Sequence, residues 1–164
     1  MNVISPDMLS KTPFELIGKD WMLLTAGNED KYNTMTASWG GLGVLWNKNV
    51  VFAFVRPQRF TYDFMKENEY FSCSFFKEDH RAALSYCGKY SGRDVDKAKE
   101  CNLSANFSED APFFDEADTV IICKKLYVQQ MSEEFIIENS IKANYSGDDY
   151  HYVFVGEIVK VLKK

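Results

Sequence analysis

The sequence predicts a mainly β protein with short α insertions, arranged as one small antiparallel barrel with peripheral helices. Three observations carry this. About six runs rich in β-branched and aromatic residues are bounded by turn formers. The strands ahead of the first helix are joined by tight connections, which favour antiparallel pairing. The helical stretches are short and fall between strands.

Residues 21–26 and 35–39 are apolar runs separated by Gly27, Asn28, Glu29, Asp30 and Lys31, and they predict a hairpin. Residues 50–55, between Asn47-Lys48-Asn49 and Arg56-Pro57, predict a third strand buried on both faces. At residues 61–68 the period changes. Phe60, Phe64 and Met65 share a helical face, Thr61 is placed to cap and Asp63 lies in the first turn, where the helix dipole favours it. Residues 70–76 return to strand character, and residues 79–86 predict a short helix with Ala82, Ala83 and Tyr86 on one side. A loop at residues 90–93 leads to a helix over 95–101 capped by Asp94, and Pro112 holds a loop at 110–114. Residues 119–130 and 152–162 predict two long strands, the second despite Gly156, while residues 133–141 fit either strand or helix.

No repeat, low-complexity tract or linker interrupts the chain, so residues 1–164 read as a single domain with one core. Apolar residues make up 46% and charged residues 26%, the balance of a globular protein rather than a disordered one. The formal net charge of −5 supplies no positive field for a phosphate backbone or an anionic bilayer, so neither nucleic acid nor a membrane is an expected partner. The first 14 residues lack a signal peptide's basic start and apolar middle, and the longest apolar run, 50–55, is too short to span a bilayer. A cytoplasmic protein is expected. Cys73, Cys87, Cys101 and Cys123 are irregularly spaced, form no CxxC pair and have no histidine set beside them, which predicts reduced, mostly buried thiols and no metal site, with a structural disulfide or a redox pair as the alternative.

Two stretches carry chemistry. In Asn33-Thr34-Met35-Thr36-Ala37-Ser38-Trp39-Gly40-Gly41-Leu42-Gly43, the small residues Thr36, Ala37 and Ser38 at a strand end leave backbone groups open to a flat heteroaromatic ring, and Trp39 adds apolar area beside it. The alternative is a strand turning a corner at Gly40-Gly41 with Trp39 as core. These glycines match neither a dinucleotide fingerprint nor a P-loop. In Arg56-Pro57-Gln58-Arg59-Phe60-Thr61, two guanidinium groups and a hydroxyl run from a strand end into a helix start, a set that favours a phosphate monoester. The alternative is that Thr61 only caps the helix and the arginines face water.

The ordered pair of these segments resembles the flavin reductase-like family of FMN-binding split-barrel proteins, the group that includes flavoredoxin. The likeness continues through Ser91-Gly92-Arg93-Asp94-Val95-Asp96-Lys97 and returns at His151-Tyr152-Val153-Phe154-Val155-Gly156-Glu157-Ile158, so it covers most of the chain. The resemblance implies a split barrel with noncovalent FMN at a homodimer interface. It places Met35, Thr36, Ala37, Ser38 and Trp39 on the isoalloxazine, and Arg56, Gln58, Arg59 and Thr61 around the ribityl phosphate. Asp96 and Lys97 would approach the cofactor from a loop and helix, or would simply be solvated surface charges. His151 would orient the substrate or donate a proton near neutral pH, or else serve as an ordinary packed hydrogen-bonding group. The implied activity is an FMN-dependent NAD(P)H oxidoreductase that passes hydride to flavin and electrons on to a second small-molecule acceptor. The alternatives are an FMN electron carrier or redox sensor without NAD(P)H turnover, and a barrel that binds another phosphorylated aromatic or none. Residues 130–149 match no pattern.

Overall fold

All six strands read from the sequence are present in the computed structural model, which describes residues 1–164, and four more join them. The order is β1 (Asn2–Ile4), β2 (Met22–Gly27), β3 (Tyr32–Ala37), β4 (Gly40–Leu45), β5 (Lys48–Val55), α1 (Phe60–Glu67), β6 (Tyr70–Phe75), α2 (Arg81–Lys89), α3 (Lys97–Glu100), β7 (Ala105–Asn106), β8 (Phe113–Phe114), β9 (Thr119–Gln130) and β10 (Tyr152–Lys163). Every pairing is antiparallel. The main sheet runs β3-β2-β6-β9-β10-β5-β4, with β1 on the far end of β10. Its two terminal strands, β3 and β4, are consecutive in the chain yet do not pair. The barrel is split along that seam.

Alternation along the strands divides the interior. Met22, Leu24 and Ala26 of β2, Phe71, Cys73 and Phe75 of β6, and Ile121 and Cys123 of β9 fill one apolar cluster. Leu23, Val120 and Ile122 point the other way and pack with Leu84, Cys87, Ala98, Leu103, Phe113 and Phe114. The single core expected from chain length is therefore two, one within the sheet's curve and one beneath α2, α3 and the following loop.

Several boundaries differ from the sequence reading for local reasons. Strand β4 was hidden by its glycines; it turns into β5 at Trp46 and Asn47, both at positive φ (53° and 57°), the backbone of a tight hairpin without a glycine in it. Strand β5 is covered unequally on its two faces: Val51, Ala53 and Val55 face the core, while on the other face Val50 is buried and Phe52 and Phe54 are half-buried. Thr61 does not cap α1. Arg59 holds the N-cap position without a side-chain bond, and Thr61 lies buried in the first turn. The buried face of α2 is Leu84 and Cys87, not Ala82 and Tyr86. Asp96, not Asp94, caps α3, where its Oδ1 accepts the Lys99 amide at 3.1 Å. Phe113 and Phe114 form a short strand instead of loop, and residues 133–141 are neither strand nor α-helix but 3₁₀ turns at Glu133–Phe135 and Asn139–Asn144.

Gly156 sits mid-strand for a packing reason. A Cβ there would lie 2.6 Å from the Phe71 ring and 2.8 Å from Cys123 Cβ, beside a register shift between β9 and β10. The four cysteines are free thiols, three of them buried. No helix is long and apolar enough to cross a membrane.

Candidate flavin site

Sheet register assembles the site. Residues Met35, Thr36 and Ala37 end β3, and Ser38 and Trp39 carry the chain across the seam to β4. Because Gly40 pairs with Ala53, Trp39 arrives beside Phe54; because Tyr152 pairs with Val55, His151 arrives beside Arg56. These residues and Arg59 line a cleft of about 200 Å³. Trp39 is 50% exposed, with its ring 5.3 Å from the His151 ring, so it forms a wall of the cleft and is not core.

One wall of the cleft is electrically settled. Arg56 Nη1 donates to Asp149 Oδ2 at 2.7 Å, Nη2 donates to the Asn144 carbonyl, and the guanidinium lies 5.1 Å over the Tyr145 ring. Gln58 Nε2 donates to the same carboxylate oxygen at 3.0 Å. Desolvation alone would raise the Asp149 carboxyl, but the Ser146 amide, Arg56 and Gln58 outweigh it and hold it below its ordinary value. Burial, followed by the Arg56 charge, lowers His151 to about 4 against the opposing pull of Asp149. A value that low keeps the imidazole in its uncharged form near neutral pH, where one ring nitrogen carries the proton and the other a lone pair.

The other end is different. A pocket of about 130 Å³ is lined by Gln58, Arg59, Thr61, Lys89, Ser91 and Lys97, with Phe60, Tyr90 and Gly92 completing it. Arg59 borders both spaces. Its Nη1 donates only to the Gly88 carbonyl at 3.1 Å. Lys97, 5% exposed, donates from Nζ to the carbonyls of Thr34 at 2.8 Å and Cys87 at 2.9 Å. Neither cation has a carboxylate partner. Burial lowers Lys97 to about 8, and burial, then the Arg56 charge, lowers Arg59. Thr61 Oγ1 accepts from Asn33 Nδ2 at 2.8 Å, tying α1 to β3 beneath the pocket. Gly92 is pressed onto that link, since a Cβ there would stand 1.9 Å from Asn33 Oδ1.

The residues singled out in the sequence thus sort unequally. Met35, Thr36, Ala37, Ser38, Trp39 and His151 share the cleft, and Arg59, Thr61, Gln58 and Lys97 share the smaller pocket. Arg56 belongs with the cleft and not with the phosphate-sized pocket, and exposed Asp96 caps α3 and borders neither space. Sequence reasoning missed Phe54, Lys89, Tyr145 and Asp149. Lys89 lies in the last turn of α2 with nothing in its surroundings to flag it. Tyr145 and Asp149 lie in the aperiodic stretch that folds back onto Arg56.

An aromatic-walled cleft joined through Arg59 to a pocket holding two uncompensated cations suits a planar ring with a phosphate tail. Residues 15–164 match the flavin reductase like domain family. The chain belongs to that family. Among solved structures it resembles flavoredoxin from Methanosarcina acetivorans at 24% identity and a TM-score of 0.71, covering 88% of this chain and 68% of that one. It also resembles an FMN-binding protein from Thermus thermophilus bound to p-hydroxybenzaldehyde (21%, TM-score 0.68, 88% and 71% covered). A third is an NADH:FAD oxidoreductase from Streptomyces globisporus C-1027 in complex with NAD and FAD fragments (17%, TM-score 0.63, 88% and 74% covered). At these identities the likeness is one of fold, the split barrel of a flavin-binding family. No curated protein matches in sequence.

Proposed function

We propose that residues 1–164 form a single domain that binds FMN across the seam and acts as an oxidoreductase, accepting hydride from NAD(P)H and passing electrons to a second small-molecule acceptor. The observation that carries this is the pair Arg59 and Lys97: two substantially buried cations, bonded only to backbone carbonyls, on a pocket of phosphate size. A buried charge without a counter-ion is costly, and a phosphate dianion supplies the missing partner. Thr61 and Gln58 border the same pocket. Met35, Thr36, Ala37 and Ser38 offer small side chains and strand-edge backbone groups to the ring, and Trp39 and Phe54 give it apolar walls.

When bound, FMN supplies the hydride and single-electron chemistry. The chain's part is to fix the ring, exclude water along Trp39 and Phe54, and present the neutral His151 N–H. The half-exposed Trp39 leaves room for a nicotinamide to be held by stacking, and a protein of the same fold has been solved with an NAD fragment. A second copy of the chain is the proposed cover for apolar side chains left in water, among them Val44, Trp46, Phe135 and Ile137. The free thiols accord with a cytoplasmic setting.

The purified protein is mixed with FMN, freed of excess, and then given NADH without oxygen. The reading expects a retained flavin spectrum that bleaches on NADH addition. Retained flavin with an unchanged spectrum favours the electron-carrier reading. Failure to retain flavin overturns both. Light scattering tests the dimer, which a strictly monomeric FMN-loaded protein would contradict.

A further inference from the structure

We propose that Tyr145 is a positioning residue for His151, its hydroxyl fixing the imidazole so that Nε2–H, and not Nδ1–H, is the donor offered to an acceptor atom in the cleft. This deepens the reading above and rests on it only for the identity of that acceptor. The Tyr145 hydroxyl lies 3.0 Å from His151 Nδ1, the one side-chain partner either group has within the chain. The other ring nitrogen, Nε2, makes no bond in the chain. It is not among the sealed, unpartnered polar atoms, which are Ser74 Oγ and Arg81 Nη1 only. His151 is 8% exposed and lines the cleft, so Nε2 is its open nitrogen.

A neutral imidazole carries one N–H and one lone pair. If Nδ1 accepts from Tyr145, the hydroxyl proton is used and Nε2 must carry the ring proton. In the other tautomer Nδ1 donates to the phenol oxygen, the hydroxyl proton has no acceptor in the chain, and the open nitrogen becomes a lone pair. The first arrangement uses the hydroxyl proton and the Nδ1 lone pair on each other and leaves one donor, Nε2–H, facing the cleft, suited to a carbonyl oxygen.

The hydroxyl can do this because its ring is clamped. The Tyr145 ring lies beneath the Arg56 guanidinium and 4.5 Å from the Tyr150 ring at an interplanar angle of 32°. Asp149 fastens the segment at both carboxylate oxygens: Oδ1 accepts the Ser146 amide at 3.0 Å, and Oδ2 accepts Arg56 and Gln58. The charged and aromatic groups that face His151 are thus Arg56, Asp149, Tyr145 and Trp39.

The chain holds only two histidines, and His80 sits at the surface paired with Asp79, so imidazole nitrogen resonances are read without ambiguity. Long-range ¹⁵N–¹H NMR of the protein as purified is expected to show His151 as the Nε2–H tautomer, unprotonated through the neutral range. Tyr145→Phe keeps the ring under Arg56 and removes only the hydroxyl. It should lower the Nε2–H to Nδ1–H ratio about five-fold, the weight of one ordinary hydrogen bond. Tyr150→Phe, which keeps its ring against Tyr145, should leave the ratio unchanged. In FMN-loaded protein Tyr145→Phe should slow NADH-driven reduction. An Nδ1–H tautomer in the parent, or a ratio unmoved in Tyr145→Phe, overturns the proposal. Failure to take up FMN overturns the reading of the previous section and leaves the tautomer result standing.

Discussion

Arg56 and Arg59 stand three residues apart in one turn and read alike in the sequence, yet the fold treats them oppositely. Arg56 is closed into an ion pair with Asp149, a carbonyl bond to Asn144 and a ring contact with Tyr145. Arg59, together with the more deeply buried Lys97, has only backbone carbonyls for partners. A compensated guanidinium positions its neighbours, whereas an uncompensated one is a standing attraction for an anion. The distinction separates the two ends of the candidate site, which the motif alone does not.

The sharpest way to break the comparison is to remove the uncompensated cations. Arg59→Ala and Lys97→Met should each weaken FMN by about 1.5–3 kcal/mol, roughly 10–150-fold, while leaving riboflavin, which lacks the phosphate, nearly unaffected. Fluorescence titration with the two ligands decides it, and equal losses for both would move the phosphate elsewhere.

Next in size is a pH effect. The folded chain holds Lys97 at about 8, below the ordinary 10.5. Between those values the unfolded chain keeps a proton that the folded one has lost, so the Lys97 contribution to stability rises with pH through that window. Phosphate binding favours the charged ammonium, so FMN affinity should fall above about pH 8, approaching tenfold per unit. Lys97→Met should flatten both trends, measured by thermal melts and by titration across pH.

A smaller effect should follow from freeing Arg56. Asp149→Asn leaves the guanidinium without its counter-charge, and FMN should bind about threefold tighter at low salt, the gain vanishing as salt is added. Tighter binding that ignores salt would rule out a charge effect.

The smallest expectation is no change. His151 is neutral until about pH 4, so the rate of flavin reduction should stay flat from about pH 6 to 8. An inflection near 6.5 that disappears in His151→Gln would show the imidazole charging in the loaded protein.

Much of the fold was legible because period-2 alternation and turn residues are local signals: β9 was read to the residue, and β10 and β6 nearly so. Strand β4 was not, because its three glycines remove the side chains that alternation needs, and its pairing with β5 is a property of register. Thr61 was misread as a cap for a related reason: its true partner, Asn33, is brought to it by β3 lying against α1. At the site, Trp39, Arg59 and His151 were found through the motifs. Asp149 and Tyr145 were not, since the Arg56 side chain that holds both lies about ninety residues back and their own stretch has no periodicity. The charge state of His151 was equally out of reach, being set by burial and by Arg56.

The unpaired edges of β3 and β4 have a mechanical consequence. Only Ser38 and Trp39 bridge them, so the girth of the cylinder can change along that line without severing a single rung of its ladders. Any widening along that line falls on the two-residue link, while the other strands stay held by their ladders.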